Sequence, residues 1–197
     1  MGIYHPGTGT LVFPENTGEF VPKGARFYFQ MHYSPTGRRE LDDRTKAGIY
    51  LYKTKPKYVL SSTGIYNRLF KIPAGSKDYH VSASFTFDQD VVLTGLRPHM
   101  HTRGKSMKFM IIYPDGKEET ALSVPNYRYK WQRIYYLVEP KKLPAGTTID
   151  IEATYDNSTQ NPDNPDPTKD VFFGAERKNE MCLGQIFYYW PNKDTEH

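Results

Sequence analysis

The chain has 197 residues, a formal net charge of +4 and a single cysteine, Cys182, which excludes an internal disulfide. The charge is modest and mixed with acidic residues, so it gives no basic patch of the kind that binds nucleic acid. No apolar run approaches the ~20 residues that span a bilayer, and the first ten residues lack the basic and apolar regions of a signal peptide. The 16 Tyr, 11 Phe, 15 Gly and 15 Pro favour an all-β domain.

Alternating apolar and polar residues predict strands along most of the chain, and we find no convincing amphipathic helix. Three strands follow a shared pattern, an aliphatic residue, Pro, a third residue and Gly, at 21–24, 72–75 and 143–146. Pro-x-Gly predicts a tight turn. The pattern indicates an antiparallel β-sandwich, jelly-roll-like in type. The predicted strands are 25–33, 48–53, 79–87, 107–113, 133–139, 148–155 and 183–190.

The first and third of these segments match best, because "FQMHYSP" aligns with "IEATYDN". Two related sandwiches would explain the match, and so would turns that recur in any β protein, and the sequence leaves both open. In the first case residues 1–55 are the closing part of one sandwich, and residues 56–197 form a second, complete one. A domain of ~50 residues without disulfides is marginal alone, so we expect the chain to start inside a larger protein.

Residues 156–170 form a loop rich in Asn, Asp and Pro. Its oxygen atoms could suit calcium, but the spacing of its Asp residues fits no EF-hand, and a rigid surface loop is the favoured interpretation. Asn157-Ser158-Thr159 is a glycosylation sequon, which matters only for a eukaryotic secreted chain.

The best candidates for chemistry are His99 and His101, in "RPHMHTRGKSMKF". On a strand, residues i and i+2 face the same side, so both imidazoles can reach one ion of Cu, Zn, Fe or Ni. Met100 then points to the opposite face. The alternative is a pair of histidines on a solvated surface, and the pair alone does not decide between the two.

The favoured third ligand is Met181, which polar residues flank just before the last strand. A thioether beside two imidazoles favours copper, Cu(I) in particular. Met107 and Met110 lie in an apolar strand and are interpreted as packing residues. His32 is either a ligand or a hydrogen-bonded strand residue.

Other catalytic motifs are absent from the sequence. It has no G-x-S-x-G elbow, no phosphate-binding glycine loop and no H-E-x-x-H, and we identify no catalytic residue beyond the metal ligands. His5 and His80 are interpreted as structural.

Three motifs in order, "QMHY" (30–33), "HMHTRGKSM" (99–107) and "NEMC" (179–182), resemble the copper type II ascorbate-dependent monooxygenase family. Peptidylglycine α-hydroxylating monooxygenase and dopamine β-hydroxylase belong to that family. The segments between the motifs look closer to its bacterial members, and the resemblance covers nearly the whole chain.

The resemblance implies two sandwich domains that each bind one copper. It assigns the catalytic copper to His99, His101 and Met181, and part of an electron-transfer copper site to His32. The other two histidines of that second site have no match here, which implies that the first domain is truncated. Gln185 stands where the animal enzymes have a tyrosine, and Cys182 lacks its usual partner, so no substrate is inferred.

The reaction that the resemblance implies is C–H hydroxylation with O2, ascorbate as the reductant and a small-molecule or peptide substrate. It also implies a periplasmic or secreted location, with the missing N-terminal region of the same protein as a partner. We expect no nucleic acid and no membrane as partners. Two alternatives stay open, a non-catalytic copper-binding β-sandwich and a metal-free β-sandwich binding module.

Overall fold

The computed structural model describes residues 2, 9–31, 36–41 and 44–191. That part of the chain contains strands and no helix. The strands are β1 (Thr17–Gly18), β2 (Tyr58–Val59), β3 (Ser61–Asn67), β4 (Lys71–Ile72), β5 (Tyr79–Thr86), β6 (Val91–His99), β7 (Gly104–Ile112), β8 (Glu118–Val124), β9 (Tyr135–Leu143), β10 (Thr148–Tyr155), β11 (Val171–Phe172) and β12 (Cys182–Tyr189).

Two four-stranded antiparallel sheets form a sandwich. One sheet has the order β5-β10-β7-β8 and the other the order β3-β12-β6-β9. Strands that pair are mostly distant in sequence, because the chain crosses repeatedly from one sheet to the other. Two short pairs, parallel β1–β2 and antiparallel β4–β11, complete the strand pairing. The predicted all-β sandwich is therefore confirmed.

The core lies between the two sheets, as the alternation of apolar residues predicts. On β7 and β10 every second side chain is buried, and the residues between them are more exposed. The sheets approach closely at Gly184, where an added Cβ would lie 2.7 Å from both Ile151 and Phe109. A side chain at this position of β12 would force the sheets apart.

Two predicted strands are wrong over the described residues. Residues 25–31 and 48–53 form no strand, and large side chains such as Tyr28 and Tyr50 are exposed there. Alternation specifies which face a side chain takes, but a strand also needs a neighbour to accept its hydrogen bonds, and the described residues supply none here. His32 lies outside the described residues. Conversely, β3, β6 and β8 were not predicted. For β6 the reason is that both of its faces are buried, so its residues show no alternation.

The three Pro-x-Gly turns are confirmed. Gly24, Gly75 and Gly146 all have a positive φ, of 83°, 69° and 83°. In each turn the next amide donates to the carbonyl of the proline, at 3.1 to 3.2 Å. The left-handed conformation explains the glycine at this place in every copy. Strands β5 and β10 follow the second and third turns, and the division of the chain at residues 55 and 56 stays a prediction.

The loop at 156–170 is held by the side chain of Asn157, which is completely buried. Its amide nitrogen donates to the carbonyls of Pro73 and Lys169, both at 2.9 Å. Its carbonyl oxygen accepts a hydrogen bond of 2.8 Å from Nε of Arg103. These contacts support the interpretation of a rigid loop. They also leave no room for a glycan on Asn157 in the folded protein, because its side chain is inside.

We predict that Asn157→Ala lowers the free energy of unfolding by about 3 kcal/mol, because it leaves buried donors and acceptors unpaired. Urea unfolding of the variant and the parent measures the difference. The matched control is Asn126→Ala at an exposed asparagine, which should change the free energy by less than about 0.5 kcal/mol. Equal losses in the two variants would contradict the role given to Asn157.

Candidate metal centre

The ladder between β6 and β12 ends beside the candidate ligands. The pair at this end is His99 with Leu183. Residues that face each other across a ladder project to the same side of the sheet. Extended two residues beyond its end, the same register would place His101 opposite Met181. The three predicted ligands would then share the outer face of this sheet.

The opposite face of the same strands belongs to the core. Met100 and Cys182, which alternate with the candidate ligands, are completely buried. Met100 is therefore removed from the candidate ligands, as predicted. Burial raises the pKa of the Cys182 thiol to about 11, so this cysteine is a packing residue and not a reactive thiolate.

The two imidazole rings lie close together and nearly perpendicular. Their centroids are 5.4 Å apart with an interplanar angle of 86°, so a nitrogen of each ring can approach one ion. His99 ends β6, and His101 lies just beyond it in the short connection to β7. His101 is 5% exposed, which excludes the alternative of two histidines on a solvated face.

Each ring makes a hydrogen bond through Nδ1. His99 Nδ1 lies 2.6 Å from Oε1 of Gln132, and His101 Nδ1 lies 2.9 Å from the backbone carbonyl of Asn179. The Gln132 amide nitrogen donates to the carbonyl of Tyr129, so its oxygen faces His99. Both Nδ1 atoms therefore donate, and the lone pair of each neutral ring is on Nε2. Histidine ligands of metal ions commonly show this arrangement.

Glu180 joins the two sides of the site. Its buried carboxylate accepts hydrogen bonds of 2.7 Å from the amides of His101 and Arg103, and one of 3.3 Å from the amide of Met181. Burial raises the pKa of Glu180 to about 7, against the opposing effect of these amides and of the Arg103 guanidinium. One side chain thus fixes the backbone of two predicted ligands that lie on different segments.

Met181 is half-buried at the start of β12. Its carbonyl accepts a hydrogen bond of 2.8 Å from the hydroxyl of Tyr155, so its backbone is held on both sides. Among the described residues no three His, Cys, Asp or Glu side chains converge on one point. Within this part of the chain a third donor would have to be of another kind, such as the thioether, and the assignment of His99, His101 and Met181 stays a prediction.

A cavity of about 150 Å³ opens on the same outer face. Its wall includes Gln132, the partner of His99, and Arg97 and Gln185, which face each other across the ladder. Arg97 is buried, and its Nε has no hydrogen-bond partner within the described part of the protein. Burial lowers the pKa of Arg97, but a guanidinium stays protonated at neutral pH.

The remaining candidates lie elsewhere. Met107 is buried in the core on β7, as predicted, whereas Met110 lies half-exposed on the outer face of the other sheet. His80 is exposed on β5, 3.5 Å from the hydroxyl of Thr154. His5 and His32 lie outside the described residues, so the partial second copper site stays a prediction.

The sequence analysis did not identify the residues around the candidate ligands. Arg97, in the wall of the cavity, could have been found by alternation, because it lies two residues before His99. Glu180 adjoins Met181 in "NEMC", although nothing in that motif reveals which amides it accepts. Gln132 and Asn179 come from two loops, and no pattern in the chain signals their contacts.

We predict that Glu180→Gln lowers the free energy of unfolding by about 2 kcal/mol. The amide replaces one acceptor with a donor that faces backbone N–H groups, so at least one buried N–H loses its partner. Thermal or urea unfolding of the metal-free protein measures this loss. Glu139→Gln, at an exposed position of β9, is the control and should change stability little. An unchanged Glu180→Gln protein would contradict the proposed bridge.

No described helix has the length and apolar character to cross a bilayer.

Among solved structures, the chain is similar to that of the infectious bursal disease virus Gt strain (TM-score 0.36, 11% identity, 80% of this chain and 37% of that one). It is also similar to the VP2 subviral particle of the same virus (TM-score 0.32, 13% identity, 74% of this chain and 37% of that one). These weak likenesses carry no functional information.

Curated relatives are more informative. The chain is 23% identical to DBH-like monooxygenase protein 1 of Gallus gallus, over 91% of this chain and 31% of that protein. It is 22% identical to MOXD1 homolog 1 of Drosophila melanogaster, over 96% of this chain and 28% of that protein. The chain thus spans about three tenths of the length of these relatives.

A family model for the "Copper type II ascorbate-dependent monooxygenase, C-terminal domain" matches residues 58–197. The match includes both motifs that carry His99, His101 and Met181. It also begins close to the predicted start of the complete sandwich at residue 56, although it does not test that division. The chain belongs to the copper type II ascorbate-dependent monooxygenase family.

Proposed function

We propose that this chain carries the catalytic-copper site of a monooxygenase that hydroxylates C–H bonds with O2 and ascorbate. The observation that supports the proposal most is the arrangement of the two imidazoles. Both Nδ1 atoms donate to fixed oxygen acceptors, which places the lone pair of each neutral ring on Nε2, the nitrogen that would coordinate a metal. The register of β6 and β12, extended past His99, would set Met181 on the same face.

The donor set fits copper better than other metals. Two neutral imidazoles suit several transition metals, but a thioether is a soft ligand that favours Cu(I) over Zn(II). The set contains no carboxylate, which hard ions such as Mg(II) or Mn(II) would require. Three protein ligands also leave a coordination position for a reactant.

A copper ion held there would supply the one-electron and oxygen chemistry that hydroxylation of an unactivated C–H bond needs. In the net reaction one oxygen atom of O2 enters the substrate C–H bond. The other leaves as water, with two electrons and two protons from ascorbate.

The protein's own residues position these reactants. Gln132 and Asn179 fix the orientation of the two rings, and Glu180 fixes the backbone of His101 against that of Met181. The cavity beside His99, with Arg97 and Gln185 in its wall, is where we place the substrate. Because Arg97 is buried, little water would compete for its guanidinium when a polar group of the substrate binds it.

The second copper site and the location of the protein are proposed from the family. We propose that His32 belongs to a second, electron-transferring copper site, completed by an N-terminal region of the same protein. A periplasmic or secreted location is part of the same proposal and rests on the family alone.

Copper binding is the direct test. We predict that metal-free protein binds one Cu(I) tightly, measured by competition with a chromogenic Cu(I) chelator, and that His99→Ala abolishes this site. His80→Ala, which removes an exposed histidine on the other sheet, should bind like the parent. Met181→Leu should lose affinity for Cu(I) more than for Cu(II), because the soft thioether favours Cu(I). If His99→Ala binds as much copper as the parent, the proposal is wrong.

Turnover is the second test. We predict that the copper-loaded protein consumes O2 and ascorbate in equal amounts, and that it adds one oxygen atom to a member of a panel of peptides and small aromatic amines. An oxygen electrode, ascorbate absorbance and mass spectrometry measure the three quantities. Copper-treated His99→Ala gives the background from unbound copper. If copper binds without coupled consumption, the chain alone is a non-catalytic copper-binding domain.

A further inference from the structure

Met100 separates the two candidate histidines and lies outside both ladders of β6. His99 is the last residue of β6 that pairs with a neighbouring strand. Met100 is nevertheless completely buried, so its peptide N–H and C=O need partners that no strand provides. Whatever satisfies these two groups also determines how the chain runs from His99 to His101.

The hydroxyl of Tyr127 satisfies both groups at once. It donates to the carbonyl of Met100 at 2.7 Å and accepts from the amide of Met100 at 3.1 Å. A hydroxyl can do this because it carries one donor and two lone pairs. Tyr127 is itself 4% exposed, so water has little access to compete for these contacts. The hydroxyl thus makes the two hydrogen bonds that a neighbouring strand would otherwise make with the peptide groups of Met100.

Tyr127 is fixed from its own side as well. Its amide donates to the carbonyl of Lys105 at 2.9 Å, which ties its backbone to β7. Its ring packs where the chain turns back at Gly104, and a Cβ added to Gly104 would lie 2.6 Å from Cβ of Met100 and 3.0 Å from Cδ1 of Tyr127. Glycine is therefore required for Met100 and Tyr127 to meet. The hydroxyl cannot move away from Met100 without disturbing β7.

The same loop reaches both histidines. Gln132, five residues after Tyr127, accepts from His99, and the ring of Tyr129 lies edge-on to His101 with centroids 6.2 Å apart. Tyr127 holds the peptide between the two rings. One connection between β8 and β9 therefore contacts each of the three residues of the His-x-His segment.

We propose that Tyr127 is a positioning residue, which sets the distance and angle between His99 and His101 by clamping Met100 before any metal binds. The inference rests on the copper site proposed above for its functional meaning. The clamp itself is a property of the metal-free protein, so it can be tested separately.

The first measurement uses the unmodified, metal-free chain. Hydrogen exchange followed by NMR should show the Met100 amide exchanging as slowly as amides inside β6, although it has no strand partner. Fast exchange at Met100 would overturn the proposal. This result does not depend on copper, so it stands even if the parent binds none and the proposed function fails.

The second measurement uses Tyr127→Phe, which keeps the ring and removes the hydroxyl. We expect Cu(I) affinity about 10- to 100-fold weaker than in the parent. The Cu(II) electron paramagnetic resonance spectrum should broaden or split, because the two imidazoles are no longer held in one geometry. The control is Tyr188→Phe, which removes another buried hydroxyl, 3.0 Å from Thr63 Oγ1, at the far end of β12.

A merely structural hydroxyl would give a different pattern. Both variants would then lose similar thermal stability, while copper affinity and the spectrum stayed as in the parent, and that outcome would overturn the proposal. If Tyr127→Phe does not fold, the exchange of the Met100 amide in the parent decides the question alone.

Discussion

The carboxylate of Glu180 is the contact on which the site depends most. It is buried, and it accepts amides from the connection after β6 and from the residue before β12. Neither segment continues its ladder at that point, so their N–H groups would otherwise be buried without partners. A single charged side chain thus replaces backbone pairing where the strands diverge. Arg103 balances that charge, with its amide on Glu180 and its guanidinium on Asn157.

Around this contact several hydrogen bonds hold the predicted ligands in place. Gln132 and Asn179 determine which ring nitrogen of each histidine carries the proton. Tyr127 holds the peptide between the rings. These hydrogen bonds use Nδ1 and backbone atoms. A metal site at these residues would therefore be ordered without metal, which would lower the cost of arranging ligands when an ion arrives.

Much of the fold could be predicted from the sequence, but some strands could not. Alternation identified β5, β7, β9, β10 and β12, because more and less buried residues alternate along all or part of each strand. It failed for β6, whose residues are buried on both faces. It also predicted strands where residues 25–31 and 48–53 have no pairing partner within the described part of the chain. The His-x-His spacing and the flanking residues of Met181 pointed to the ligands. The residues that orient them could not be predicted, because their contacts arise from strand register and loop packing between distant segments.

The alternation of ligands and core residues along β6 and β12 has a consequence for folding. Met100 and Cys182 fill the core, and the predicted ligands His99, His101 and Met181 alternate with them along the chain. A slip of one residue in either strand would exchange the two sets, turning the imidazoles toward the core and the apolar side chains away from it. Only the correct register would set the three predicted donors on one side. Tight binding of a soft ion would therefore also be a check on strand register, since a misregistered chain has no such site to offer.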